Sequence, residues 1–509
     1  VALSLALAFL FRDPFIGDWD ALDYTVLSLR AQPSSMALGR SLFIFSNHAL
    51  WRAAHSLLNV PADKAYLIFK YAVVLECPLV VLCCWTLARD LVRSREAATI
   101  AALLVATAPA YVVYSGQVMT EIPSLLMLTL ALIVHLRGVR RGSVLLILCG
   151  AALLGLGVNV RETVAFYAPW LVVAPFACGP MSGHRRRRVL WAAAACAVFA
   201  IFAFGPFLLW FMSDAGFRES WYGWRESMRM ESARHPVGPG NLLPLLFYFF
   251  LAAPVVALVL PFALVKEWRE RKLSCLLLLA LTGLLANLLL VFNYSTVVNW
   301  RYFLTGLPAL APLVADRLMR WQEAKSGESR RAFLRIVVTL SLVTVGIGIY
   351  AQLTHLDAHE KRVLTRDYIA RLSLLPSDAV VIAGGQTVAV TYYRGIGAGA
   401  WDVIGTGGGW PGREQLAAVI ERYLQQGRRV FLDIDPRWWD VCGWQLEETR
   451  ALATLDARFR FRRVSETIFE LRPQADETAH DAPNLESLLP ENRPADVRKC
   501  LRAGMRAAG

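Results

Sequence analysis

Charge is scarce in this chain. Only 18% of its 509 residues are Asp, Glu, Lys or Arg, whereas 56% are hydrophobic and mean hydropathy is +0.43. That balance excludes an ordinary soluble protein and describes one that crosses a membrane several times. Histidine is also sparse. His355 and His359 are spaced to share a helix face, but no metalloprotease Glu follows the first and no further ligands are apparent. Gly405-Thr406-Gly407-Gly408-Gly409 lacks the Gly-Lys-Ser/Thr ending of a phosphate loop, so it reads as a flexible turn. No Ser-His-Asp or Cys-His arrangement is evident. Cys77, Cys83, Cys84, Cys149, Cys178, Cys196 and Cys275 lie in apolar stretches and read as small packing residues. Cys442 and Cys500 fall in a soluble part where a disulfide is allowed, although the disordered composition around Cys500 argues against their pairing.

What the chain has in quantity is apolar runs. Stretches suited to crossing a bilayer, roughly 17 to 25 residues each, occupy 66–88, 97–114, 119–136, 143–160, 163–178, 189–212, 244–265, 273–293, 302–319 and 334–351. The opening VALSLALAFLF is too short to span and reads as the outer half of a further span. It carries no small-residue cleavage site, which argues against a signal peptide. The expectation is a polytopic α-helical membrane protein of about 11 transmembrane helices.

Cytoplasmic loops retain Lys and Arg, and here alternate connections hold them. Arg89, Arg93 and Arg95 fall in one such connection, then Arg137, Arg140 and Arg141, then Arg185 to Arg188. Lys266, Arg269, Arg271 and Lys272 follow, and finally Arg317, Arg320, Lys325, Arg330, Arg331 and Arg335. The net charge of +13 is therefore a topology signal, and a nucleic-acid partner is not expected. The intervening connections 12–65, 115–120, 159–163, 213–243 and 294–301, and everything after 352, then face outward. That side collects Asp18, Asp20, Asp23, Glu121, Arg161, Glu162, Arg225, Arg229 and Arg301.

The first outward loop, 12–65, shows helical periodicity over 20–31 and 40–58, with Leu42, Phe43, Phe45, Leu50, Trp51, Ala54 and Leu57 set against Arg40, Asn47, Arg52 and His55. Such amphipathic stretches suit helices lying in the membrane interface. Residues 213–243 mix Trp221, Tyr222 and Trp224 with Arg225, Arg229 and Arg234, which fits an aromatic belt or a head-group platform. Beyond 352 the pattern changes. Strands are predicted over 378–384, 400–405 and 428–434, helices over 412–426 and 444–456, and a closing hairpin over 458–464 and 467–472. This reads as an outward-facing C-terminal α/β domain, residues 352–472, followed by a tail of disordered composition, 473–509. Asp433-Ile434-Asp435 resembles a metal-binding acid pair of soluble transferases, but acids are common wherever a parallel strand meets its loop.

Charges at the membrane surface carry more chemistry, because an ionisable group beside hydrocarbon is costly. Gly17-Asp18-Trp19-Asp20 opens the outward loop. Tyr114-Ser115-Gly116-Gln117-Val118-Met119-Thr120-Glu121-Ile122-Pro123 puts an acid at a helix start, where Thr120 or Glu121 could simply cap. Arg161 and Glu162 sit at a turn and could pair with each other. Asn299-Trp300-Arg301-Tyr302-Phe303 opens a late span, where Arg beside Tyr serves as an interfacial anchor or as a phosphate ligand.

Together these features resemble the GT-C superfamily of glycosyltransferases. The features are the acidic first loop, Tyr114-Ser115 followed by Met119-Thr120-Glu121 and Pro123, Arg301-Tyr302 with Pro308 downstream, and a terminal outward domain. Within the superfamily the chain is most similar to the bacterial branch related to protein O-mannosyltransferases and to the aminoarabinose transferases that modify lipid A. The resemblance covers residues 1–351 and its motifs are loose. It implies transfer of a sugar from a polyprenyl-phosphate-linked donor to a lipid, glycan or protein acceptor, with inversion, at the periplasmic face of the bacterial inner membrane. It also implies that an acid of the first loop, Asp18 or Asp20, lies at the reaction centre. Here Trp19 separates two Asp residues where an Asp-Glu pair is commoner, so the choice between them stays open.

The residues fit that chemistry independently. An acceptor hydroxyl needs a carboxylate to take its proton, and a departing lipid phosphate needs fixed positive charge. Asp18 is the first choice of base and Asp20 its alternative or a positioning partner. Arg161 and Arg301 are candidates for the phosphate, with Glu121, Glu162 and Tyr302 completing the substrate-binding set. No cofactor is required by a motif. A divalent cation is compatible with the chemistry, but no ligands are assigned to it. The competing reading is a transporter or flippase for a lipid-linked or anionic substrate, which would place ionisable residues near the bilayer midplane. Glu76 is the chief residue of that kind.

Overall fold

A computed structural model of the chain describes residues 1–12, 16, 19–92, 94–179, 185–234, 242–270, 274–293, 300–324, 327–354, 371–383, 387–397, 401–405, 412–433, 455, 458–465 and 467–474. It divides into two compact units, Val1–Arg225 with His235–Lys361, and Glu226–Arg234 with Arg362–Gly509.

The first unit is helical. It opens with α1 (Ala2–Leu10), α2 (Trp19–Arg30) and α3 (Ser41–Leu58), the latter two falling where the periodicity placed them. The long apolar run then forms α4 (Ala65–Leu91). Ser94 caps α5 (Arg95–Ala106) by accepting a hydrogen bond from the Ala97 N–H, and Pro109 starts α6 (Pro109–Tyr114). Next come α7 (Glu121–Arg141), α8 (Val144–Val158), a 3-10 turn (Glu162–Tyr167) and α9 (Ala168–Ala177). The unit continues with α10 (Arg185–Ser213), α11 (Ala215–Arg234), α12 (Leu242–Ala252), α13 (Pro254–Arg269) and α14 (Cys275–Asn293). A further 3-10 turn (Trp300–Gly306), α15 (Leu307–Glu323) and α16 (Gly327–Thr354) complete the helical series, in which α11 ends within the second unit.

Its core forms where α7, α8, α9 and α10 meet, with Leu128, Leu132, Leu154, Trp170 and Phe199 buried together. Small residues allow the close approach that helices need where water supplies no hydrophobic drive. A Cβ placed on Gly150 of α8 would lie 2.6 Å from the His135 backbone of α7, so glycine is required at that crossing.

The helices differ in length from the expected spans. Among the described residues, Ala62–Leu91, Glu121–Arg141 and Arg185–Ser213 are each long and apolar enough to cross a membrane. Leu245–Ala252 and Pro254–Arg269 pass only as a pair, bent by 114°. The count of about 11 spans therefore does not appear as that many unbroken helices. Expected span 97–114 is divided at Thr107–Ala108 by Pro109, 163–178 begins as a 3-10 turn, and 302–319 begins within another that is followed by Pro308. Proline removes a helical donor and displaces the preceding residue from helical geometry, which a hydropathy window does not register.

Two of the cysteines read as packing residues instead form a disulfide. Cys178, just past α9, is bonded to Cys275 at the start of α14, with Cα atoms 5.4 Å apart. Both lie at ends of apolar stretches, and pairing across helices is invisible to sequence spacing.

The second unit contains β1 (Val380–Ala383), α17 (Thr387–Gly395), β2 (Asp402–Gly405), α18 (Gly412–Gln425), β3 (Val430–Asp433), β4 (Phe459–Arg463) and β5 (Ile468–Pro473). The sheet order is β2-β1-β3-β5-β4, with β1 parallel to β2 and β3, and β5 antiparallel to β3 and β4. The predicted strands and hairpin fall in place, whereas α17 was not anticipated. Asp433 is buried and its carboxylate lies 3.7 Å from the Arg371 guanidinium. Asp435, the glycine run 406–409, His355, His359, Cys442, Cys500, the helix expected over 444–456 apart from Leu455, and residues 475–509 lie outside the described residues.

Candidate functional site

Four segments separated in sequence deliver charged side chains to one place. Asp20 sits in the first turn of α2, where a carboxylate is favoured by the helix dipole. The segment before it is held by the Val118 N–H, which donates to the Ile16 carbonyl at 3.2 Å. Glu121 opens α7. Thr120, the preceding residue, makes no side-chain cap; its hydroxyl accepts from Arg161 at 3.2 Å.

The turn after α8 is fixed from two sides. Asn159 donates from its side chain to the Phe202 carbonyl of α10 at 2.7 Å and accepts from the Ser41 hydroxyl at 3.2 Å. Its carbonyl accepts from the Leu42 N–H at 3.0 Å. Arg161 and Glu162 follow directly. On the fourth segment, the 3-10 turn bearing Arg301 and Tyr302 is tied down by the Tyr167 hydroxyl, which donates to the Thr305 carbonyl at 2.8 Å.

The pairings are specific. Arg301 Nη1 lies 3.2 Å from Asp20 Oδ2, and its Nε lies 3.9 Å from Glu121 Oε1. Arg161 pairs with Glu121. Glu162 is held by Arg40 at 3.1 and 3.3 Å. The guanidinium of Arg301 sits 5.5 Å from the Tyr302 ring centre, and that of Arg40 sits 5.3 Å from Tyr24.

Arg40 is the residue that sequence reasoning missed. It was placed on the polar side of an amphipathic helix, but it precedes α3 and is buried. Its φ is +45°, a left-handed conformation that costs an L-residue about 1–2 kcal/mol. Strain of this kind persists where surrounding structure holds it in place. The only sequence signal was a basic residue, beside Gly39, in the same loop as the acids.

Burial and charge set the protonation of the cluster. Burial works against the charge on Asp20, but Arg301, Arg40 and Arg161 outweigh it and hold the carboxyl below its usual range. Glu162 is likewise opposed by burial and drawn down to about 2 by Arg40 and Arg161. Asp23, one turn along α2, is pushed up to about 6 by burial and by the like charge of Asp20.

The structure thus gathers Asp20, Glu121, Arg161, Glu162, Arg301 and Tyr302. Asp18 lies outside the described residues. Arg225 instead stacks 5.8 Å from Trp221, and Arg229 pairs with Glu226 on an exposed face of α11. Among the described residues no group of three or more His, Cys, Asp or Glu is arranged to hold a metal ion.

Residues 49–210, from α3 to α10, match the family model described as dolichyl-phosphate-mannose-protein mannosyltransferase. No curated protein matches the sequence. Among solved structures, ArnT from Cupriavidus metallidurans bound to undecaprenyl phosphate is similar with a TM-score of 0.56 at 15% identity, covering 94% of this chain and 97% of that one. The chain has the GT-C fold. The archaeal oligosaccharyltransferase AglB from Archaeoglobus fulgidus, in complex with an inhibitory peptide and a dolichol-phosphate, gives a TM-score of 0.54 at 13% identity. That alignment covers 98% of this chain and 76% of AglB. The expected resemblance is thus met by the fold, although the sequences have diverged widely.

Proposed function

We propose that the protein is an integral membrane glycosyltransferase that moves a sugar from a polyprenyl-phosphate carrier to an acceptor hydroxyl on the periplasmic face of the inner membrane, with inversion. The observation carrying this reading is the clustering of Asp20, Glu121, Arg161, Glu162 and Arg301 from four segments of a GT-C fold. Carboxylates and guanidiniums at one centre provide for both halves of the reaction. The acceptor oxygen bonds to the anomeric carbon as the bond from that carbon to the phosphate oxygen breaks. The hydroxyl proton passes to a carboxylate, and polyprenyl phosphate leaves with the bonding electrons. A single displacement of this kind inverts the anomeric centre.

In this reading Asp18 is the base and Asp20 its alternative or positioning partner. Arg301 and Arg161 face the phosphate, Glu121 orients both arginines, Glu162 anchors Arg40, and Tyr302 backs Arg301. Residues 1–351 form the catalytic membrane region and 352–472 a periplasmic domain. The acceptor class is a lipid, glycan or protein. The experiment is sugar transfer by purified Asp18→Asn and Asp20→Asn variants, with a loss of about 10²–10⁴-fold expected for the base. Undiminished transfer by both overturns the assignment. For the phosphate role, Arg301→Ala should weaken carrier binding far more than Arg225→Ala.

A further inference from the structure

A phosphate arriving at this cluster meets no arginine waiting for it, because Arg40, Arg161 and Arg301 each already have a carboxylate partner. Binding must therefore proceed by exchange, and the three pairs are unequal. In Arg161–Glu121 the side chains are 6% and 1% exposed, and in Arg40–Glu162 they are 9% and 17% exposed. In Arg301–Asp20 they are 17% and 32% exposed, and one guanidinium nitrogen contacts one carboxylate oxygen at 3.2 Å. Breaking a deeply buried pair strands a charge at high cost, whereas a more open pair releases its acid to water cheaply. Glu162, by contrast, is gripped through both oxygens.

We propose, building on the glycosyltransferase reading, that Arg301 is an exchangeable latch which leaves Asp20 for the phosphate of the polyprenyl carrier, so that Asp20 is uncovered only when the carrier is in place. Arg301 is favoured as the mobile member by the greater exposure of its pair. Its second carboxylate, Glu121, stands 3.9 Å away and retains Arg161 when Arg301 moves. Guanidinium also matches phosphate oxygens better than it matches a single carboxylate oxygen, since two parallel hydrogen bonds form. Departure of the sugar raises the negative charge on the carrier phosphate, so the exchanged contact strengthens along the reaction.

The test is a double-mutant cycle on carrier affinity, using the full chain in nanodiscs with undecaprenyl phosphate as probe and tryptophan fluorescence as readout. Asp20→Asn removes the competitor and should tighten binding about fivefold or more, within the range of coupled neighbours. In an Arg301→Gln background the same change should have no effect. Asp23→Asn removes a neighbouring carboxylate that does not hold Arg301, and should shift affinity less than about twofold. Asp20→Ser supplies the same comparison with a smaller neutral side chain. Inorganic phosphate should bind weakly, with the same dependence on Asp20. Unchanged or weaker carrier binding in Asp20→Asn and Asp20→Ser overturns the latch, as does tightening that persists without Arg301. An Asp20 effect seen with inorganic phosphate but not with undecaprenyl phosphate overturns the carrier as the occupant. Transfer activity is scored separately. Loss of transfer without tightening leaves the glycosyltransferase reading standing and removes only the latch.

Discussion

Arg161 and Glu121 form the most deeply buried ion pair of the cluster, joining the turn after α8 to the first residue of α7. The pair also closes the gap between the two candidate phosphate ligands, because Glu121 lies within 3.9 Å of Arg301 as well. That carboxylate fixes where Arg161 points and leaves Arg301 at the longer distance.

Removing one partner should be costly for the fold. Arg161→Ala leaves Glu121 buried without its chief cation, and a loss of about 3–5 kcal/mol is expected. Glu121→Gln combined with Arg161→Ala should lose less than the sum of the single changes, since neither charge is then stranded. Thermal unfolding of the purified variants in detergent checks both expectations. Additive losses would show that the pair is not coupled.

The pairing of Arg40 with Glu162 predicts a pH dependence. The folded value of Glu162, about 2, lies below its ordinary 4.5, so its contribution is fully present above pH 4.5 and lost as pH falls toward 2. Arg40→Ala should lower stability near neutrality by up to about 3 kcal/mol and flatten the acid decline between those values. Denaturation midpoints across an acid series, wild type against variant, provide the measurement. An unchanged acid limb in Arg40→Ala would contradict the assignment.

Asp23 has the opposite sign. Its folded value of about 6 stands above the ordinary 3.8, so the folded state binds the extra proton and stability falls as pH rises through that window. Above pH 6 the full penalty is present. Asp23→Asn should recover up to about 3 kcal/mol at pH 7.5 and nothing at pH 3. Midpoints at the two pH values decide it, and equal gains at both would mean that packing, not charge, is responsible.

Much of this arrangement could be read from residue order, and the rest could not, for physical reasons. Helices α2 and α3 follow from periodicity, and the hairpin of β4 and β5 from alternation. Asp20, Glu121, Arg161 and Arg301 were legible because charge at a membrane surface is expensive wherever it occurs. Partner choice was not legible. Arg161 and Glu162 are adjacent, yet each also takes a partner from another segment. Arg40 escaped because a left-handed arginine before a helix carries no periodic signal. The breaks at Pro109 and Pro254 were hidden inside runs that are apolar on both sides.

The Cys178–Cys275 bond sets a fold-level contact against a topology argument. It ties the end of α9 to the start of α14 across 97 residues. Its two ends adjoin the connections holding Arg185 to Arg188 and Lys266 to Lys272, whose charge is what a cytoplasmic side is expected to carry. Glutathione and thioredoxin keep thiols reduced there. With the two residues on that side, the bond seen in the structure is expected to be open in cells, leaving thiols close enough to rejoin when isolated membranes are treated with copper phenanthroline. Alkylation before lysis, followed by mass spectrometry, reads the cellular state; the same analysis after oxidation reads the proximity. A link already present before lysis would place these loops on the oxidising side and reverse the orientation. No link after oxidation would separate the ends of α9 and α14 and contradict the packing that joins them.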